Sequence, residues 1–280
     1  MESLSKDIYF TLAKDMNIRD LISFCMSNKK ANEKICDNDD VWKYRLNKEF
    51  PNWQDFRLNK NPLETYVLLY QLKILKEKLE LPQTIYELYN MEHLNLIGEG
   101  LRILPKEIGQ LHNLHKLSLG SNKLTEIPKE IGQLSKLQEL YLSNNNLIKI
   151  PKELGNLTNL RILNLNINKL KEIPKEIGQL SNLQELYLNI NQLETVPIEI
   201  GQLLNLKELY LNINKLKEIP KEIGQLSNLQ ILILYDNQLK TIQKEIGQLP
   251  NLQKLDLSYN KIEDIPKEIT NNKRIKIQIR

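Results

Sequence analysis

The residues in this sequence best suited to chemistry are its three histidines and two cysteines. A catalytic nucleophile needs a base within hydrogen-bonding distance. No cysteine or acidic residue stands in a position to orient His93, His112 or His115, and the spacing of Cys25 and Cys36 fits no zinc motif. Phosphate-binding loops, G-x-G-x-x-G and H-E-x-x-H are also missing. We therefore expect a non-catalytic protein without cofactor or metal, whose cysteines are free thiols in a reducing compartment.

A second set of residues recurs at a fixed spacing. The segment L-x-x-L-x-L-x-x-N-x-L begins at Leu114 and returns every 23 residues until Leu252. Between these segments, most units carry a variant of I-P-K-E-I-G-Q-L. A period of this length is typical of solenoid proteins, in which each unit packs only against its neighbours. A solenoid without catalytic groups is most simply a surface that binds something.

Each unit is expected to contain one short strand and one return. Alternating leucines such as Leu140 and Leu142 predict a half-buried strand whose leucines point into the solenoid. The proline and glycine of the return favour a short helical or extended segment. Parallel strands stack closely while the bulkier returns spread apart, so the solenoid should curve with its sheet on the concave side. The predicted domains are residues 1–50, 51–90 (with a helix at 63–79 and a half-repeat as cap), 91–274 with eight repeats, and a cap strand at 275–280.

An asparagine occupies the same place in seven successive units, where the strand turns into the solenoid. Its amide both donates and accepts hydrogen bonds, so it can satisfy buried backbone groups that a turn leaves open. This structural interpretation is favoured over a row of ligand-binding asparagines. The residues are Asn122, Asn145, Asn168, Asn191, Asn214, Asn237 and Asn260.

The full unit, L-x-x-L-x-L-x-x-N-x-L-x-x-I-P-x-E-I-G-x-L-x-N, resembles the leucine-rich repeat in its 23-residue form. The resemblance covers about two thirds of the chain. It implies an α/β solenoid, a horseshoe with a concave parallel sheet, preceded here by a small all-α N-terminal domain. It also implies that the concave sheet binds a partner protein.

The N-terminal residues resemble an F-box, and especially the short F-box-like segments of proteins from large DNA viruses. The resemblance rests on Leu4, Asp7, Ile8, Leu12, Asp20, Leu21, Phe24, Ile35 and Trp42, and it fails at Ser5, where the family often has proline. It implies a substrate-recruiting subunit of a cullin-type (SCF-like) ubiquitin ligase. Docking on a Skp1-type adaptor would then use or depend on Leu4, Ile8, Leu12 and Leu21. The alternative is a scaffold or effector outside the ubiquitin system, whose N-terminal helices only cap the solenoid.

The candidate partner-binding residues face outward from the predicted strands of the middle units. Tyrosines and isoleucines there should form an exposed apolar and aromatic surface with glutamates at its edge, as protein interfaces do. Tyrosine and isoleucine are also good strand formers, so repeat duplication alone could account for them. The candidates are Glu185, Tyr187, Ile190, Glu208, Tyr210, Ile213, Ile231, Ile233 and Tyr235.

Composition restricts the other classes of partner. The net charge is +4, from 39 basic and 35 acidic residues, and the repeats place lysine beside glutamate. Such mixed charge predicts a solvated surface without a nucleic-acid site. No apolar segment approaches the ~20 residues of a membrane span, and the N-terminus lacks the features of a secretory signal. We expect a monomer in the cytoplasm, or in the host cytoplasm if the protein is viral.

Overall fold

The computed structural model describes Ala13, Met16, Asn17, Asp20, Leu21 and residues 35–279. The chain divides into two compact units, Met1–Leu88 and Tyr89–Arg280. The helix expected at 63–79 is present as Pro62–Lys78 and belongs to the first unit. No helix in the described part of the chain is both long and apolar enough to cross a membrane.

The first unit is helical in its described part. Asn38 caps the helix Asp39–Glu49 by accepting a hydrogen bond from the backbone N–H of Asp40. Asn61 caps the helix Pro62–Lys78 in the same way, and the proline at its first position has no backbone N–H to leave unpaired. The remaining elements are a 3₁₀ helix, Trp53–Phe56, and a short α-helix, Ile85–Tyr89.

The core of this unit is aromatic where the two long helices meet. Trp42 and Tyr66 are fully buried, with ring centroids 5.4 Å apart. The hydroxyl of Tyr66 donates to Glu49 at 2.7 Å. Burial, followed by that hydrogen bond, raises the pKa of Tyr66. The guanidinium of Arg45 lies over the Tyr66 ring and donates to the backbone carbonyl of Ala13 at 3.1 Å, so it ties an earlier segment to this core.

Two predictions for the N-terminal residues can each be compared with the structure at one residue, Leu21 and Cys36. Leu21 is fully buried, which suits a supporting role and leaves no surface of its own for an adaptor. Leu4, Ile8 and Leu12 lie outside the described residues. Cys36 is disulfide-bonded, so the prediction that it is a free thiol is wrong.

The second unit is a solenoid built on one parallel sheet, as predicted. In the described residues the sheet has nine strands, each paired only with its neighbours in chain order. A return connects each strand to the next, and a 3₁₀ helix occupies seven of these returns. The strands are β1 His93–Asn95, β2 Lys116–Ser118, β3 Glu139–Tyr141, β4 Ile162–Asn164, β5 Glu185–Tyr187, β6 Glu208–Tyr210, β7 Ile231–Ile233, β8 Lys254–Asp256 and β9 Lys276–Gln278. The 3₁₀ helices are Lys106–Gln110, Lys129–Gln133, Lys152–Asn156, Lys175–Gln179, Ile198–Gln202, Lys221–Gln225 and Lys244–Gln248, and the last return is an α-helix, Lys267–Thr270.

The constant repeat length sets the register of the sheet. Residues one period apart are direct partners, such as Leu163 with Leu186 and Leu186 with Leu209. All three leucines are fully buried, and the central leucines of β1 to β8 together form a continuous apolar core. The residues on either side of that leucine face the concave side of the sheet.

The asparagine row forms a ladder of hydrogen bonds that joins successive units. The side-chain amide of Asn191 donates to the carbonyls of Leu165 and Leu188, each at 3.0 Å, and its oxygen accepts from the N–H of Leu170 at 3.0 Å. The other six members repeat this pattern on the equivalent backbone atoms. Each amide therefore closes its own turn and binds the backbone of the preceding unit.

The returns pack closely because their glycine has no Cβ to clash with the next return. A second row of asparagines joins successive returns by hydrogen bonds. A Cβ at Gly178 would lie 2.5 Å from the backbone carbonyl oxygen of Glu199 in the next unit. On the outer side, Asn182 donates to the carbonyl of Thr158 at 2.8 Å, and Asn205 to that of Ser181 at 2.8 Å. These asparagines recur in the sequence, but their spacing alone does not indicate this role.

Candidate protein-binding surface

The middle strands bring most of the predicted surface residues together. Glu185 and Tyr187 of β5 are the direct partners of Glu208 and Tyr210 of β6. Three residues beyond these tyrosines, Ile190 and Ile213 occupy the turns that follow the two strands. We call these six residues the central face: Glu185, Tyr187, Ile190, Glu208, Tyr210 and Ile213.

The two tyrosines of the central face stack on one another. Their ring centroids are 4.9 Å apart and their planes differ by 18°. Tyr187 donates to Glu185 at 2.8 Å and lies 3.4 Å from Glu208, and Tyr210 donates to Glu208 at 3.1 Å. Partial burial, followed by the neighbouring carboxylates, raises the pKa of both hydroxyls. The rings are thus held in place by stacking and by the hydrogen bonds of their hydroxyls.

The isoleucines of the turns have an unusual backbone conformation. Ile167, Ile190 and Ile213 have φ values of 53°, 55° and 56°, in the left-handed region that β-branched residues rarely adopt. Ile167 and Ile190 are exposed, at 41% and 38% of their surface. The sequence predicted the outward position of Ile190 and Ile213, but it gave no indication of this backbone conformation.

The remaining predicted residues lie on β7 and in the turn after it. Ile231 and Tyr235 are half-buried on the same side of the sheet. The prediction that Ile233 is exposed is wrong, since only 4% of its surface is accessible. Ile233 is in register between Tyr210 and Asp256. Side chains converge on a concave sheet, so a larger neighbour covers a shorter one. Ser118 and Ser258 are also buried.

A related arrangement on β2 and β3 was not predicted from the sequence. Glu139 and Tyr141 have the same spacing as Glu185 and Tyr187, and Tyr141 likewise donates to its glutamate, at 3.0 Å. Here Lys116 of the preceding strand completes the group. Its ammonium lies 2.7 Å from Glu139 and 4.9 Å from the centroid of the Tyr141 ring. The hydrogen bond between them raises the pKa of Lys116 and lowers the pKa of Glu139.

The part of the chain that the structure describes contains no group of three or more His, Cys, Asp or Glu side chains able to hold a metal ion. The central face therefore offers aromatic rings, apolar side chains and carboxylates to a ligand. Such a surface is typical of protein interfaces, in which aromatic residues contribute much of the binding energy.

The sequence also matches a family model described as a leucine-rich repeat region, over residues 57–172 and 149–271. The chain belongs to the leucine-rich repeat family. The predicted family and fold are thus confirmed for the repeats, whereas residues 1–50, with the F-box-like resemblance, lie outside the match.

Solved structures of other leucine-rich repeat proteins have a similar fold. A leucine-rich repeat protein of Leptospira interrogans is 47% identical over 68% of this chain and 49% of its own, with a TM-score of 0.65. Internalin C2 of Listeria monocytogenes is 25% identical over 76% of this chain and 92% of its own, with a TM-score of 0.63. The plant peptide hormone receptor RGFR1, in complex with RGF2, is 33% identical over 69% of this chain and 36% of its own, with a TM-score of 0.57.

The present chain spans about half the length of the Leptospira protein. No curated protein matches the sequence. Members of the leucine-rich repeat family are typically non-catalytic scaffolds that mediate protein–protein interaction.

Proposed function

We propose that this leucine-rich repeat protein captures a specific protein partner on its central face. The observation that carries the proposal is the composition of the turns after β4, β5 and β6. Their left-handed position holds isoleucine, whereas the equivalent position in other units holds Ser121, Asn144, Asp236 or Tyr259. Asparagine and aspartate tolerate this conformation better than isoleucine does. The backbone conformation therefore gives no reason for isoleucine there, while a protein partner does.

The neighbouring side chains support the same conclusion. The turns lie beside Tyr187 and Tyr210, whose rings are already fixed by stacking and by hydrogen bonds to glutamates. Rings that are fixed before binding lose little conformational entropy when a partner arrives. A structurally similar protein, the plant peptide hormone receptor RGFR1, has been solved in complex with RGF2, which is consistent with a protein partner here.

The test replaces both tyrosines. We expect Tyr187→Ala with Tyr210→Ala to weaken partner binding by at least about tenfold, since truncated aromatic hot spots typically cost ~2 kcal/mol or more. The partner is first isolated by affinity purification from the organism that carries the gene, and its affinity is then measured by calorimetry with the purified proteins.

The matched control removes exposed apolar side chains elsewhere on the solenoid. Ile148 and Ile198 are 57% and 60% exposed and lie outside the strands. The pair Ile148→Ala and Ile198→Ala should leave the affinity unchanged. Equal affinity in the tyrosine and control variants would rule out the central face as the binding site.

We further propose that the N-terminal segment docks a Skp1-type adaptor, which would make the protein a cytoplasmic substrate receptor of an SCF-like ubiquitin ligase. Support comes from the F-box-like order of residues that runs from Leu4 to Trp42. The experiment is a pull-down of purified adaptor by the full chain, compared with Leu4→Asp and Ile8→Asp. Capture by the natural sequence and loss in these variants would support the proposal. No capture at micromolar adaptor, with the natural chain shown to be folded, would contradict it.

The second candidate function is an interaction scaffold or effector outside the ubiquitin system. The disulfide at Cys36 favours it, because disulfides persist mainly in oxidising compartments and cullin-type ligases act in the reducing cytoplasm. Thiol titration of the denatured protein, isolated without reductant from its natural source, distinguishes the two candidates. The scaffold predicts no reactive thiol, and the ligase subunit predicts free thiols.

A further inference from the structure

We infer that the partner presents a basic side chain, an arginine or lysine, to the central face, where it lies against the stacked tyrosines and between the carboxylates of Glu185 and Glu208. This inference rests on the proposed function and adds the chemistry of the partner. An arginine or lysine above an aromatic ring is attracted by the negative face of that ring, and a nearby carboxylate strengthens the interaction.

The first support is a pair of like charges that the Tyr187 hydroxyl bridges but that has no basic partner. Glu185 and Glu208 are direct partners on adjacent strands. Parallel strands lie ~4.8 Å apart, and like charges placed side by side on a sheet are unfavourable. Within the described residues, neither glutamate forms an ion pair with a basic side chain. A cation between the two carboxylates would remove this repulsion.

The flanking strands supply no such cation. The positions in register with these glutamates are Ile162 on β4 and Ile231 on β7, both apolar. Lys207 directly precedes β6, but its ammonium donates to the side-chain oxygen of Gln184 at 3.1 Å. The carboxylates thus lie in an aromatic and apolar setting, where a charge is less well solvated and a complementary charge counts for more.

The second support is the group on β2 and β3, which already contains a cation. Lys116 contacts both the Glu139 carboxylate and the Tyr141 ring. Glu185 with Tyr187, and Glu208 with Tyr210, repeat the glutamate and tyrosine of that group at the same strand positions. The chain thus shows, within its own sheet, how a basic side chain fits this pair of residues. On β5 and β6 we assign that place to a side chain of the partner.

The rest of the central face indicates which residues of the partner flank this basic side chain. Ile190 and Ile213 lie three residues beyond the tyrosines, in the turns that follow β5 and β6. Ile167 is exposed at the equivalent position of the preceding unit. A matching segment would therefore place apolar side chains beside its arginine or lysine. Such a segment combines a charged contact, which gives specificity, with apolar burial, which gives affinity.

The experiment selects short random peptides displayed on phage against the immobilised full-length protein. Selected sequences should be enriched in arginine or lysine next to aliphatic or aromatic residues. Binding of a selected peptide is then measured by fluorescence anisotropy, and replacing its basic residue by uncharged citrulline or glutamine should weaken binding by at least about tenfold. Raising the salt concentration should weaken it as well.

The protein variants remove charge and keep shape. Glutamine retains an oxygen that can accept the tyrosine hydroxyl bond, so Glu185→Gln with Glu208→Gln should fold normally and bind the peptide at least about tenfold more weakly. The control pair, Glu172→Gln with Glu218→Gln, makes the same change in net charge at exposed positions outside the strands. That control should bind the peptide as the natural protein does.

Two negative results are distinguishable. If Tyr187→Ala with Tyr210→Ala abolishes peptide binding but basic residues are not enriched, or the glutamine pair has no effect, the inference is overturned and the proposed function stands. If the tyrosine variant binds every selected peptide normally, both are overturned. A selection that enriches no sequence also overturns the inference, and the affinity purification described above then decides the proposed function separately.

Discussion

Two adjacent positions in the repeat each keep the same geometry from unit to unit, but the residue type is constant at one of them and variable at the other. One holds asparagine in seven successive units, with its amide bonded to three or more backbone groups. The position before it has a φ between 53° and 56° in the same seven units, yet its side chain changes from unit to unit. In chain order it is Ser121, Asn144, Ile167, Ile190, Ile213, Asp236 and Tyr259.

The contrast separates what the fold requires from what it allows. The asparagine faces inward and no other side chain supplies the same donors and acceptor at that length. Its neighbour is exposed or half-buried, and the hydrogen bonds of the turn do not require a particular side chain there. A residue that is unfavourable for the backbone at such a position therefore points to a demand from outside the fold.

The largest expected effect comes from removing one asparagine of the ladder. Asn191→Ala leaves the N–H of Leu170 without its partner and removes one of the two asparagine donors to each of the carbonyls of Leu165 and Leu188. The buried N–H left unpaired costs about 1–3 kcal/mol, so the free energy of unfolding should fall by at least about 1 kcal/mol. Urea unfolding followed by circular dichroism measures this decrease. A decrease below about 0.5 kcal/mol, the size typical of surface substitutions, would contradict the structural role.

A smaller effect is expected at the neighbouring position. The variant Ile190→Asn buries less apolar surface, which is unfavourable, and relieves backbone strain, which is favourable. Each of these opposing changes is worth about 1–2 kcal/mol, so the free energy of unfolding should change by less than about 1 kcal/mol. Binding of the partner should nevertheless weaken.

The matched control for this variant is Asn144→Asp, which changes the same position outside the central face. Calorimetry should show unaltered partner binding in the control and weaker binding in Ile190→Asn. A large drop in the unfolding free energy of Ile190→Asn would mean that the isoleucines serve the fold.

The smallest effect concerns the tyrosines at high pH. The pKa of Tyr187 and that of Tyr210 are raised in the folded protein, so the folded state holds these protons more tightly than the unfolded chain does. Their contribution to stability is therefore complete below the unfolded pKa of about 10 and is lost as pH rises above it. Tyr187→Phe with Tyr210→Phe should flatten the decline in unfolding free energy above that pH. An unchanged decline would show that the hydroxyls are not held as described.

The repeat period made much of this molecule predictable from its sequence. Leucines one period apart had to meet in register, which gave the parallel sheet and placed Tyr187 beside Tyr210. The F-box-like segment has no such internal repetition, and its proposed docking on an adaptor stays a prediction. The candidate site as a whole likewise stays a prediction, because its test is binding.

The features missed by sequence reasoning depend on neighbours that no period specifies. Ile233 is buried because of what lies beside it on a concave sheet, and its own residue type carries no sign of this. The position of Lys116 over Tyr141 needs side-chain directions across two strands. The left-handed turn is indicated by residue type only in some units, such as those with Asn144 and Asp236, and the three isoleucines at the same position give no sign of it.

The asparagine ladder has a consequence for how such a gene can change. Its amides bond to main-chain atoms of the preceding unit, and every unit has those atoms whatever its side chains are. A unit copied, deleted or moved by recombination in steps of one repeat would still find its hydrogen-bonding partners. New combinations of outward residues could thus arise by recombination of DNA segments that encode whole repeats. No compensating mutation in the structural residues would be needed.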